Sequence, residues 1–305
     1  MAPMIDVTTL PLPRFVEVGP RDGLQNEAVV VSREARVAFI DALCDGGVRE
    51  ISAGAFSGRP VAAQLAGSGE VLENVRRKEG VMYSALVLDE EGLDAAVAAE
   101  VDKLEVLCAA SETFSRKTLD VPIAHILERL RPLLGRAGKT GLPVRAGVAT
   151  AFHCPYEGAV RHDAVVAVVE RLRAMGVCEF SLSDTLGRAS PQDVRGLLDV
   201  LLKRVRPEQV FLHFHTTYGM AIANALCAWT EYGISGFDAS AGGVGGCPYA
   251  PGVGGNVATE DLAFAFLACG APVRLDFRKL KAAAMALSKH LGHPLPSHLS
   301  RIEFK

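Results

Sequence analysis

The sequence predicts an α/β fold, a (β/α)₈ TIM barrel with a short C-terminal helical extension. Three observations carry that expectation. Eight short, nearly continuous apolar runs are spread along the chain, helical patterns alternate with them, and the residues able to do chemistry fall just after the runs. A parallel strand covered on both faces reads as an unbroken apolar stretch. In a barrel of this kind, chemistry sits at the C-terminal ends of the strands. An open doubly wound sheet is the structural rival, but it would more naturally stop at roughly five to seven strands.

Taken in order, the eight runs are Arg14–Val18, Arg49–Ala53, Val81–Leu86, Lys103–Cys108, Val144–Thr150, Cys178–Ser183, Val210–His215 and Ser235–Ser240. Most are rich in Val, Ile or Phe. The helical pattern Ser32–Asp45 starts at a serine able to cap it, turns Val37, Phe39, Ile40 and Leu43 inward, and stops at Gly46-Gly47. Further helices are expected over Val61–Arg77, Glu91–Ala99, Pro122–Gly138, Arg161–Met175, Pro191–Arg204, Met220–Tyr232 and Thr259–Leu267. Ser190-Pro191 places a proline at the first helical position, where its missing N–H costs nothing. A last helix, Leu280–Leu291, leads into a proline-containing tail. We expect one domain over residues 1–305, with the barrel over about 14–268 and the extension over about 269–305.

Composition narrows the function classes. With 49% hydrophobic residues there is ample material for a packed core, and a net charge of −3 favours neither nucleic acid nor an acidic partner. No run of about 18 apolar residues occurs, so no membrane span is expected. The first 13 residues lack a basic n-region and read as a surface lead-in rather than a targeting signal. Seven scattered cysteines with no pairing pattern point to a reducing, cytoplasmic setting.

The chemistry gathers in Val210–Asn256 and near the N-terminus. Side chains i and i+2 on a strand share a face, so His213 and His215 both point into the barrel, about 6–7 Å apart along the strand. A lone inward histidine is more often a hydrogen-bonded core residue; two at this spacing, at the catalytic end, favour a metal site. Asp22 follows the first strand, and in Arg21-Asp22-Gly23 it could equally be a turn residue. Barrel closure sets the eighth strand between the seventh and the first. Asp22, His213, His215 and Asn256 can then converge as one carboxylate, two imidazoles and one amide oxygen. That set suits Mg²⁺ or Mn²⁺ acting as a Lewis acid, with Zn²⁺ and Fe²⁺ left open on ligand chemistry. Asp184, after the sixth strand, falls on the same face.

At these residues the chain resembles the hydroxymethylglutaryl-CoA lyase family, part of a larger group of metal-dependent barrel lyases and Claisen-type synthases. The blocks that carry the resemblance run from Val16 to Glu27, then Ala110-Ser-Glu112, Cys154-Pro-Tyr-Glu-Gly158, Ser181 to Gly187, His213-Phe-His215 with Thr217-Tyr-Gly219, and Gly245-Gly-Cys-Pro-Tyr249 on to Asp261. The resemblance implies that Asp22, His213, His215 and Asn256 hold the metal and that Arg21 and Cys247 are catalytic. The implied reaction is cleavage of 3-hydroxy-3-methylglutaryl-CoA to acetoacetate and acetyl-CoA, and a homodimer is implied on the same ground alone. The residue types suit those roles. Arg21 can stabilise an enolate oxygen, and a thiol with a pKa of about 8.5 can protonate a carbanion. Cys247 sits in a glycine-rich loop expected to close over substrate. His213 or Asp22 would relay the hydroxyl proton.

Two positions depart from the family pattern. Relatives end the second strand with a glutamate where this chain has Ser52, and carry aspartate where it has Thr216. Glu50 shares the facing of Ser52 but lies about 6–7 Å deeper. The missing carboxylate would have lain close to Arg21 and Asp22. The departures keep open a different 3-hydroxyacyl-CoA substrate, such as a branched or citramalyl thioester, and a weakly active paralogue with a metal-binding or CoA-binding role. A condensing synthase or aldolase acting on a 2-oxo acid is a further alternative, although such enzymes lack the Gly-Gly-Cys-Pro-Tyr loop.

Overall fold

The computed structural model describes residues 6–246, 249 and 254–303 of the 305. Eight parallel strands close into a barrel in simple sequential order, each hydrogen-bonded to the next and the eighth to the first. They are Arg14–Glu17, Glu50–Phe56, Met82–Val87, Lys103–Ala109, Val144–Ala149, Glu179–Asp184, Val210–Phe214 and Gly236–Ala239. All eight expected runs are therefore barrel strands, with ends shifted by up to three residues. The apolar residues between strands and helices form one continuous core that includes Ile51, Leu104, Phe180, Leu212 and Phe237. Each such side chain contributes roughly 1.5–3 kcal/mol on burial.

The helices follow the expected pattern with instructive exceptions. Arg33–Asp45 starts on Ser32, whose hydroxyl accepts the Ala35 N–H, and it buries Phe39, Ile40 and Leu43. Val37 is only half-buried, and Arg36 takes the inner place instead. Its guanidinium donates to the Ala66 carbonyl (2.7 Å) and to Ser68 Oγ (3.3 Å). Those bonds explain why the expected helix Val61–Arg77 is broken. The chain makes a short turn at Ala63–Leu65, passes Gly67 at φ +71°, and forms only Ser68–Asn74 as α-helix. That φ lies in the left-handed region, which glycine adopts without strain, so the break favours glycine there. Pro191–Leu201 begins with a reciprocal capping box between Ser190 and Asp193 and stops three residues short of expectation.

Besides short 3₁₀ turns, three small elements near the site were not expected. They are a single wide helical turn at Gly19–Gly23, a helix at Glu112–Thr118, and a hairpin pairing His153–Cys154 with Gly158–Ala159. The C-terminal helix Phe277–Leu291 packs on Arg33–Asp45. Among the described residues no helix is long and apolar enough to cross a membrane.

The barrel interior is polar, in contrast to the apolar layer outside it. At its N-terminal end Lys103 Nζ bonds Glu50 Oε1 (2.7 Å) and Glu179 Oε2 (2.6 Å), and Arg14 approaches both carboxylates. The Phe211 ring fills the space beside them, with Arg14, Lys103 and Arg145 against it. Gly236 makes that possible, since a Cβ there would come within 2.4 Å of the ring.

Candidate metal centre

The turn Gly19–Gly23 directly follows the first strand and sets Arg21 and Asp22 at the C-terminal mouth of the barrel. It is pressed against the segment that follows the eighth strand. A Cβ on Gly245, which lies at φ +104°, would meet Gly23 Cα and Asn256 Nδ2, each at 2.8 Å. Glu17 fastens the two together, since its carboxylate accepts from Gly19 N, Ala241 N and Thr259 Oγ1 at 2.7–2.9 Å. Burial pushes Glu17 up to about 7 despite those bonds.

The candidate ligands meet there. One donor atom each from Asp22, His213 and His215 lies within 4.8 Å of the others. His213 Nε2 is 3.1 Å from His215 Nε2 and 3.9 Å from Asp22 Oδ2. His213 ends the seventh strand's inward row, and His215 lies one residue past the strand, bridged to Asn256. Asn256 joins the group through its amide nitrogen, which donates to Asp22 Oδ2 and to the Val244 carbonyl, both at 3.1 Å. Its Oδ1 is buried and meets no donor among the described residues, and the same holds for His215 Nδ1.

The charge states of His215 and Asp22 suit a cation. Burial, together with the neighbouring His213, pushes His215 down to about 3, so it stays neutral, the form that ligates. Burial disfavours the His213 cation too, but the hydrogen bond that His213 Nδ1 donates to Asp238 and the charge of Asp22 outweigh it and raise its pKa. Asp22 is held below the ordinary carboxylate value, with burial opposing and Arg21 and the two histidines prevailing. A carboxylate, two imidazoles and a donorless buried amide oxygen form a mixed hard and borderline set that fits a divalent cation.

The surrounding groups were largely missed by sequence reasoning. Asp238, on the eighth strand, faces His213 Nδ1 (3.3 Å), accepts from Ser181 Oγ (2.6 Å) and pairs with Arg145. It thereby fixes which His213 nitrogen points to Asp22. Glu105, on the fourth strand, accepts from Ser52 Oγ (2.9 Å) and Ser84 Oγ (2.6 Å). The signal for both was present: an acid alternating with apolar residues inside a strand must face the barrel interior. Asp184 is drawn away from the cluster. It accepts the Arg188 and Ala189 N–H groups of its own loop, and burial lifts it to about 6. Glu50 belongs to the N-terminal ion network and does not reach Arg21. Thr216 hydrogen-bonds the Gly255 carbonyl. Cys247 lies outside the described residues.

Above the cluster a cavity of about 270 Å³ is lined by Arg21, Asp22, Glu105, Arg145, His213 and His215, with Leu107, Phe114 and Tyr249 toward its apolar side. A closed parallel barrel with a cation-competent cluster at its C-terminal mouth, opening on a mixed polar and apolar cavity, has the layout of a TIM-barrel enzyme.

A family profile described as HMGL-like matches residues 12–286. The hydroxymethylglutaryl-CoA lyase of Pseudomonas mevalonii is 41% identical over 279 residues, covering 92% of each chain. The crystal structure of hydroxymethylglutaryl-CoA lyase from Pseudomonas aeruginosa superposes with a TM-score of 0.92 at 37% identity, covering 96% of this chain and 97% of that one. An HMG-CoA lyase from Acinetobacter baumannii, solved in complex with coenzyme A and 3-methylmalate, superposes with a TM-score of 0.89 at 33% identity over 95% of this chain and 94% of that one. The chain belongs to the HMGL-like family, and by that membership it is a carbon–carbon lyase.

Proposed function

We propose that this protein cleaves 3-hydroxy-3-methylglutaryl-CoA to acetoacetate and acetyl-CoA. The observation that carries the reading is the meeting of Asp22, His213 and His215 at the barrel mouth in a chain of this family. Asp22, His213, His215 and Asn256 are the residues that would hold the cation, with Mg²⁺ or Mn²⁺ favoured by the carboxylate and amide oxygens. When bound, a divalent ion supplies Lewis acidity and a template for the substrate's oxygens.

The reaction removes the proton of the C3 hydroxyl. The O–H electron pair becomes the new carbonyl, the C2–C3 pair moves onto the thioester as an enolate, and C2 then takes up a proton. His213 has Nδ1 engaged by Asp238 and would commit Nε2 if it held the cation. We take the Asp22 carboxylate, which keeps spare lone pairs, as the acceptor of the hydroxyl proton. Arg21, whose Nη1 donates to Asp22 Oδ1 (2.9 Å), lines the cavity and stabilises the enolate oxygen. Cys247 is assigned on sequence grounds as the acid that protonates C2. An acyl-CoA thioester is the small-molecule partner; a homodimer rests on the family resemblance alone, and a cytosolic setting on the scattered, unpaired cysteines.

The test is incubation of the purified protein with Mg²⁺ or Mn²⁺ and a panel of 3-hydroxyacyl-CoA thioesters, following acetyl-CoA release. We expect metal-dependent cleavage of the 3-hydroxy-3-methylglutaryl thioester; no cleavage of any thioester overturns the lyase reading. Cys247→Ser should keep metal affinity and lose most turnover. Unchanged turnover would remove Cys247 from the mechanism.

A further inference from the structure

Arg21 has two jobs that conflict. Its guanidinium sits against Asp22, a carboxylate proposed to bind a cation, and it must also present N–H groups to a substrate oxygen. A guanidinium held by Asp22 alone would be drawn toward the ligand set and would compete with the cation for the same carboxylate. The structure contains a second anchor on the opposite edge. Arg21 Nε donates to Ser52 Oγ (3.3 Å), and Arg21 Nη2 lies 3.6 Å from Glu105 Oε2. Ser52 passes its own proton on to Glu105 Oε2 (2.9 Å), while Ser84 Oγ holds the other carboxylate oxygen at 2.6 Å. Ser52 is thus both acceptor from Arg21 and donor to Glu105. Glu105 is 5% exposed, and both serines are fully buried. Three strands therefore converge on one side chain of the strand-one turn: the second through Ser52, the third through Ser84 and the fourth through Glu105.

We propose that Glu105 is the positioning residue for Arg21, acting directly and through Ser52, and that it takes the place of a carboxylate absent from the second strand. The proposal rests on the lyase reading for what Arg21 does but not for where Arg21 is held. An anchored guanidinium keeps one edge fixed on Ser52 and Glu105 and leaves Nη1 and Nη2 protons for Asp22 and substrate. Released from that edge, it would shift by a fraction of its own width, and misplacement of that order at a reacting centre costs on the order of 100-fold in rate. Ser52 then marks a relocated carboxylate rather than a change of substrate.

The decisive variant is Glu105→Gln, which keeps the shape and removes the charge. We expect kcat to fall by about 30- to 100-fold, with KM and the Mn²⁺ dissociation constant within about 2-fold of wild type. Exchanging the two residues, as Ser52→Glu with Glu105→Ser, should recover at least about 10-fold over Glu105→Ser alone. A readout free of turnover is the Arg21 Nε–H resonance in ¹⁵N spectra, assigned with Arg21→Lys. It should exchange slowly with solvent in the wild type, quickly in Glu105→Gln, and slowly again in the exchanged pair. Should Glu105→Gln not fold, Ser52→Ala takes its place, with a kcat loss of about 5-fold expected and metal affinity unchanged. Unchanged kcat, a kcat loss that merely follows lost metal affinity, or an exchanged pair no better than Glu105→Ser would each overturn the proposal. A wild-type protein that cleaves no thioester would sink the lyase reading alone, since the Arg21 resonance still tests the anchor.

Discussion

Two polar layers occupy the inside of the barrel, and they differ in how fully their groups are partnered. At the N-terminal end, Lys103 bonds two glutamates, and the remaining oxygen of each glutamate faces Arg14. At the C-terminal mouth, His213 and His215 crowd each other at 3.1 Å, and Asn256 Oδ1 and His215 Nδ1 are buried without partners among the described residues. Both layers are rich in ionisable side chains, so residue type does not separate them. Satisfaction does. A buried network whose members are all paired holds a structure together, whereas buried groups left short of partners call for an explanation such as a missing ion.

Four measurements would break or sharpen that contrast. The largest effect is expected at the mouth. Asp22→Ala should reduce kcat/KM by more than about 1,000-fold and abolish detectable Mn²⁺ binding by calorimetry, with little change in thermal stability. A large loss of stability would instead make the mouth a structural layer like the other. Lys103→Met should do the reverse. It removes the cation from between the buried Glu50 and the half-buried Glu179, leaving them only Arg14, and should cost about 3 kcal/mol in denaturant unfolding while metal affinity is retained; a cost below about 1 kcal/mol would show that the N-terminal layer is not holding the barrel.

Glu17 stands between the two cases, since it is well bonded yet strongly desolvated. Its pKa is raised in the folded protein from 4.5 to about 7, so the native state binds a proton that the unfolded state has released. Its contribution to stability is therefore fully present below pH 4.5 and is lost as pH rises through about 7. Glu17→Gln should flatten that decline, measured as urea midpoints between pH 4.5 and 8; an unaltered profile would assign the decline to other groups. The smallest effect is expected outside the barrel. Arg195→Ala, which breaks a half-exposed pair with Glu231, should move the melting temperature by no more than about 1 °C.

The architecture was largely legible in the sequence because its main signals are local. Strands covered on both faces must be apolar throughout, and the eight runs announced themselves that way. Serine and glycine at helix ends announced the boundaries at Ser32, Gly46 and Ser190. The clustering of His213, His215 and Asp22 followed from two simple rules, the two-residue period of a strand and the adjacency of the first and eighth strands. The helix Val61–Arg77 failed because its break at Ala66–Gly67 is enforced by Arg36 from another helix, a contact that no local pattern contains.

The tertiary structure decided what cannot be read from one segment. Glu50 and Glu105 both look like acids in an apolar strand, yet register and barrel stagger send one to Lys103 and the other to Ser52 and Arg21. Asp184 ends its strand and Asp238 lies within its own, yet only Asp238 faces His213, while Asp184 is held by the N–H groups of its own loop. Period and composition determine which face of a strand a side chain takes. Which partner it meets there depends on how far each strand has slid past its neighbours, and only the closed barrel sets that.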